Sequence, residues 1–286
     1  MRRDQSSLTA AGIAVVRGLE SEKPEDERIC YDQYARLFAP AWLYKLVRFF
    51  VRNGYAEWRG PGVIGYLVAR DRYFDDILLE YLQVGLQQLV ILGAGYDSRP
   101  YRFDLQLKGV TTFEVDHPAT QKVKLKKVRE VIGVLPEHVI YVPVDFNTQT
   151  LVQRLLEYGY KPEWKTLFLW QGVSMYLTPD AVDATLSFVR GYSAPGSAII
   201  FDYIYREILD GTRKHAEISG MHRYRFMTGE NLTFGIEAGT VESFLMKRGF
   251  SRVKDVDVNY LKEAYFSGRN VGRKIASRYG IAIAEI

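Results

Sequence analysis

The sequence predicts an α/β fold: a seven-stranded, mostly parallel sheet with one antiparallel strand, a helical N-terminal cover, and an insertion after the fifth strand. Three observations carry this expectation. From residue 88 onward, short apolar runs alternate with longer amphipathic stretches, the pattern of strands joined by crossover helices and buried on both faces. The first 85 residues carry helical spacing instead of strand runs. The first strand-like run, QLVILGAG, ends on two glycines, as chains do where they approach a ligand closely.

The elements follow in order. AAGIAVVRGL is a short helix and SEKPEDER a polar break. ICYDQYARLFAPAWLYKLVRFFVRN supplies one or two amphipathic helices interrupted at Pro40, and YAEWRGPGVIG is Gly/Pro punctuation. YLVARDRYFDDILLEYLQVG is a longer helix, with Tyr66, Arg70, Tyr73, Phe74, Ile77 and Tyr81 at helical spacing. Strands are expected at 88–95, 110–117, 138–146, 166–172 and 197–204, with helices TQKVKLKKVREVIG, TLVQRLLEYG and PDAVDATLSFVRGY between the later ones. Residues 205–238 are polar, irregular and rich in Arg and His, and read as the insertion. TVESFLMKRGF is a helix, FSRVKDVDV a sixth strand and YGIAIAEI a seventh. The segment between these two strands reads as short, which predicts antiparallel pairing.

No stretch reads as an interdomain linker. The expectation is a single domain over 1–286, with 1–85 as the helical cover and 205–238 as a lid and substrate pocket. The charge balance is +4 and spread along the chain, without the concentrated basic face that nucleic acid requires. No run approaches the roughly 18 apolar residues of a membrane span, so neither a nucleic acid nor a membrane is an expected partner. The N-terminus reads as folded protein, not as a signal peptide. The lone Cys30 cannot close an internal disulfide and suits a cytoplasmic location. It has no partners at metal-ligand spacing, so no metal is implied. Nothing in the residues sets an oligomeric state.

In an open parallel sheet, ligands sit beyond the carboxyl ends of the strands. Gly93, Ala94 and Gly95 lie at such an end. A dinucleotide fingerprint needs a third glycine where this chain has Ser98, and the P-loop lysine is absent. Asp116 ends the second strand, Asp145 and Phe146 the third, and Gln171 the fourth. These suit the ribose hydroxyls, the adenine amino group and ring face, and a further polar group of an adenosine ligand lacking pyrophosphate. S-adenosylmethionine (SAM) is such a ligand. Arg70 is the candidate partner for its carboxylate. Arg17 is a second one, although it reads first as a surface arginine. A plainer account remains open at each position: glycines as turn formers, and Asp116 as a helix N-cap.

Taken together, LGAGYDSRPYR, FEVDHP, VDF and WQGVSMYL, with ARDRYFDD upstream, resemble the leucine carboxyl methyltransferase-like family of class I SAM-dependent methyltransferases. The likeness runs over about 6–286 and is strongest at 66–178. It implies a Rossmann-like fold and SAM as cofactor. Gly93, Ala94 and Gly95 would lie at the methionine portion, Arg70 at the carboxylate, Asp116 at the ribose, and Asp145 with Phe146 at the adenine. Arg99 and Arg102 would brace the turn, and Tyr176 would face the acceptor. Gln171 departs from the family's usual glutamate, which leaves the SAM ammonium without that charge.

The resemblance further implies O-methylation of a small-molecule or peptide acceptor, such as a natural product. A carboxylate is ionised near neutrality and needs only orientation, from Tyr176 and one of Arg223 or Arg225. A hydroxyl needs a base, for which His215 and His222 are available in the insertion. The competing readings are a SAM- or nucleoside-binding protein without turnover and an NAD-linked oxidoreductase.

Overall fold

The computed structural model describes residues 8–145, 148–209 and 232–286. Seven strands form one sheet: β1 (Gln88–Leu92), β2 (Thr111–Asp116), β3 (Val139–Pro143), β4 (Thr166–Trp170), β5 (Ala198–Ile204), β6 (Arg252–Val256) and β7 (Tyr279–Glu285). Their order is β3-β2-β1-β4-β5-β7-β6. Each neighbouring pair among β1–β5 is parallel, and β7 runs antiparallel to both β5 and β6. The order reverses between β1 and β4, so crossovers leave the sheet to opposite sides there and open a crevice at the strand ends.

Side chains on β1 show how the two faces are filled. Val90 and Leu92 join Phe113, Trp170 and Phe201 on one face. Leu89 and Ile91 join Leu167, Ile200 and the buried face of a long helix on the other. That helix, Val63–Gln83, is α5 in a helical N-terminal region with α1 (Leu8–Ser21), α2 (Ala35–Phe38), α3 (Ala41–Arg52) and α4 (Tyr55–Arg59). Pro40 stands at the N-cap of α3 and divides it from α2, because proline at a helix start gives up an N–H that has no intrahelical partner.

Two parts differ from the sequence expectation. The stretch read as punctuation contains the short helix α4, entered through Gly54 in the left-handed region at φ 69°. The segment between β6 and β7 is not short: it carries a helix, Val258–Tyr265. Asp257 caps that helix by accepting from the Tyr260 N–H at 2.9 Å. The antiparallel pairing of β6 and β7 stands nonetheless. In the insertion, residues 210–231 lie outside the described residues. Its return is tied down: Phe234 and Ile236 are buried, and the Thr233 N–H donates to the Met175 carbonyl at 2.8 Å.

Candidate functional site

A cavity of about 1020 Å³ opens at the carboxyl ends of β1, β2 and β4. Arg70, Gly93, Ala94, Gly95, Asp116, Asp145, Gln171 and Tyr176 all line it, as does Arg17. The structure thus brings together every site residue expected from sequence that falls within the described residues. Phe146, His215, His222, Arg223 and Arg225 lie outside them.

The glycine turn is built by backbone bonds and shape. The Gly93 and Ala94 N–H groups both donate to the Val115 carbonyl, at 2.9 and 3.0 Å, which carries the β1–β2 ladder into the turn. Gly93 has φ 68°. A Cβ there would stand 2.5 Å from Cγ2 of Val173, so only glycine leaves the wall of the cavity open. The Gly95 N–H donates to Asp116 Oδ2 at 2.5 Å, and the His117 N–H to Asp116 Oδ1 at 2.6 Å.

Asp116 is not the N-cap of the following helix, Pro118–Ile132. His117 takes that role through its ring nitrogen, which accepts from the Ala119 N–H at 3.2 Å. An ionised carboxylate offers about four lone-pair sites, so two backbone donors leave Asp116 acceptor capacity toward the cavity. Burial pushes its carboxyl above the usual range, and the two backbone N–H bonds pull back against that shift.

Behind the turn lies a buried network of three arginines and four aspartates. Arg17 Nε pairs with Asp32 at 3.0 Å, and its Nη2 donates to the Tyr96 carbonyl at 2.6 Å. It is 6% exposed, which corrects its reading as a surface arginine. Arg99 pairs with Asp97 at 2.5 Å, Asp75 at 2.7 Å and Asp71 at 3.4 Å. Arg102 pairs with Asp75 at 2.5 Å and Asp71 at 3.5 Å. The two arginines read as braces do hold the turn to α5. Burial pushes the Asp71 carboxyl up, but Arg17, Arg99 and Arg102 outweigh it and hold Asp71 far below the usual carboxylate range.

Two aspartates escaped the sequence reading. Asp202, fully buried at the end of β5, accepts from Arg70 Nη1 and from the Gly172 N–H, both at 2.5 Å. A lone carboxylate in AIIFDYI, an otherwise apolar central strand, was the available signal, since a buried charge needs a partner. Asp71 accepts from Gln171 Nε2 at 3.2 Å. That bond fixes the amide so that its Oε1 is the free end, and Oε1 is buried without a hydrogen-bond partner. Arg70 Nε is likewise buried and unpartnered. Both residues line the cavity, and a buried polar atom left unpaired calls for a partner.

A family profile described as leucine carboxyl methyltransferase matches residues 10–190. YktD of Bacillus subtilis (strain 168), a provisionally named S-adenosyl-L-methionine-dependent methyltransferase, is 30% identical over 202 residues, covering 71% of this chain and 66% of that protein. A protein of Streptomyces coelicolor with the same provisional description is 33% identical over 190 residues, 66% of each. The chain thus spans just under two thirds of the length of these relatives. Among solved structures, a DUF574 family protein of Streptomyces avermitilis superposes with a TM-score of 0.61 at 13% identity, covering 99% of both chains. A provisionally named methyltransferase of Thermobifida fusca gives 0.59 at 14% identity, covering 98% of this chain and 95% of that one. These likenesses establish the Rossmann-like architecture.

Proposed function

Because the chain belongs to the leucine carboxyl methyltransferase family, we propose that it is a SAM-dependent O-methyltransferase acting on a carboxylate of a small molecule or peptide, with a hydroxyl as the alternative acceptor. The observation that carries this reading is the unpartnered Gln171 Oε1 beside Asp71 at the mouth of β4. An amide oxygen accepts from an ammonium, and the 3.2 Å bond from Gln171 Nε2 to Asp71 holds the amide in place, while the Asp71 charge is itself met by Arg17, Arg99 and Arg102.

The remaining cavity residues fit the rest of the molecule. Arg70, held by Asp202, lines the cavity and would pair with the ligand carboxylate. Gly93 to Gly95 give the backbone room beside the methionine chain. Asp116 has acceptor capacity left for two ribose hydroxyls, and Asp145, which lines the same cavity, would accept from the adenine amino group. SAM supplies a methyl group on a positively charged sulfur. The chain's own contribution is to hold the acceptor oxygen in line and to exclude water, worth on the order of 7–11 kcal/mol when alignment is good. Tyr176, on a short turn between β4 and the next helix, lines the same cavity and orients the acceptor. In the insertion, proposed as the lid, Arg225 would pair with an acceptor carboxylate, and His222 would serve a hydroxyl as base.

Calorimetric titration with SAM tests the first half. Binding is expected, with Asp116→Ala weakening it by about 10- to 100-fold, the worth of hydrogen bonds to a charged group. A wild-type protein indifferent to SAM would overturn the proposal. The acceptor is tested by treating the methylated product with mild alkali: an ester releases methanol and an ether survives.

A further inference from the structure

The outer surface of the N-terminal region carries an apolar strip whose side chains are exposed or half-buried. On α3, Leu43, Tyr44 and Val47 turn inward onto α1. Trp42, Leu46 and Phe49, spaced i, i+4, i+7 along another face, are exposed at 60%, 45% and 62%. The strip continues into α4 through touching rings: Phe49–Phe50 at 5.8 Å, Phe50–Tyr55 at 5.1 Å and Tyr55–Trp58 at 5.6 Å between centroids. Trp58 is the most exposed of them at 71%. Six large apolar side chains in one contiguous surface band exceed what scattered surface hydrophobics require.

Most charges beside the strip are basic. Lys45 and Arg52, seven residues apart, flank it on α3 and Arg59 follows on α4, while Arg48 is met by Glu22 at 3.6 Å. The one acidic residue between 41 and 59 is Glu57, and its carboxylate accepts the Gly62 N–H at 2.8 Å. A second copy of this chain docking here about a two-fold axis would set basic rim against basic rim, which like-charge repulsion opposes. An apolar band with interfacial Trp and Tyr and a basic flank complements a surface that is apolar beneath and anionic on top.

We propose that the α3–α4 face docks onto an anionic phospholipid bilayer, lying on it without crossing. None of the described helices is long and apolar enough to cross a membrane, and surface insertion needs no such helix. The opposite side of α3 packs on α1, whose Ala10, Ile13 and Arg17 line the cavity. The docked face is therefore one helix layer away from the site. The proposal concerns this surface and stands apart from the methyl-transfer reading.

The test mixes the full chain with vesicles of phosphatidylcholine alone or with added phosphatidylglycerol. Co-sedimentation is expected only with the anionic vesicles, weakening as salt rises, together with a blue shift of Trp42 and Trp58 emission. The double variant Trp42→Ala/Trp58→Ala should bind those vesicles at least about tenfold more weakly at an unchanged melting temperature, since both side chains are exposed. Lys45→Glu/Arg52→Glu should reduce binding and flatten the salt dependence. No sedimentation with anionic vesicles, or equal binding by both variants, would overturn the proposal. So would Trp42 and Trp58 already shielded from acrylamide in the free protein, or a concentration-dependent dimer abolished by the same substitutions.

Discussion

The wall of the cavity formed by α5 and the glycine turn is charged and tied across the chain, whereas the wall running from Val173 to Phe188 is apolar and held by packing. On the first wall, Arg70 and Asp97 line the cavity, and their buried partners Asp202 and Arg99 stand behind them. On the second, Val173, Leu177, Ala181 and Phe188 present hydrocarbon to the same space. Buried ions tolerate little displacement, because each loses its partner before it gains water. Apolar packing of similar volume tolerates exchange. The contrast teaches where the site is fixed and where it can vary: the charged wall suits the one ligand that every turnover would share, and the apolar wall suits an acceptor.

The largest break in the contrast should come from Arg99→Ala. It strands Asp71, Asp75 and Asp97 without one of their cations, a loss of about 3–5 kcal/mol for a broken buried pair. Denaturant titration reads it, and a shift under 1 kcal/mol would mean the network does not hold the wall. Gly93→Ala comes next and couples the walls, since it forces a side chain at φ 68° against Val173. We expect a cost of about 2–4 kcal/mol from strain and overpacking together. Adding Val173→Ala should recover the packing part and leave the backbone part.

Acid sharpens the comparison within the charged side. Burial raises the Asp116 carboxyl, while three arginines keep Asp71 depressed. As pH falls, Asp116 takes up its proton first and loses acceptor capacity for the ribose contact proposed above. The stability that ionised Asp71 contributes is complete above the unfolded value of about 3.9 and is lost only as pH drops through its lower folded value. SAM affinity should therefore fall at a higher pH than the denaturant midpoint does, and coincident losses would break the distinction. The smallest effect belongs to Leu177→Ala: less than about threefold on SAM affinity, with a larger change in acceptor KM, because removing a few methylene groups from a hydrophobic pocket changes discrimination by about 1–3 kcal/mol.

The central strands of the sheet were legible because they are buried on both faces. The expected spans at 88–95 and 197–204 contain the observed Gln88–Leu92 and Ala198–Ile204. The helix Val258–Tyr265 was not legible: VNYLKEAY is short, and its cap, Asp257, sits in the run DVDV that reads as strand. At the site, strand-end positions were readable from order along the chain. Partners across the fold were not. Gln171 finds Asp71 100 residues away, and Arg17 meets Asp32 only because α1 folds over the turn. Local periodicity carries no information about such pairs, which is why Arg17 reads as a surface residue until the helices are packed.

The bond between Arg70 and Asp202 joins residues 132 positions apart. During refolding, a chain that has formed α5 but not yet docked the fifth strand holds a guanidinium with no counterion and has no reason to bury it. The ligand pocket is then among the last features to appear, since closing so long a loop precedes any reward from the contact. Nucleoside added to a refolding mixture would trap the finished protein by mass action while leaving the early collapse rate untouched.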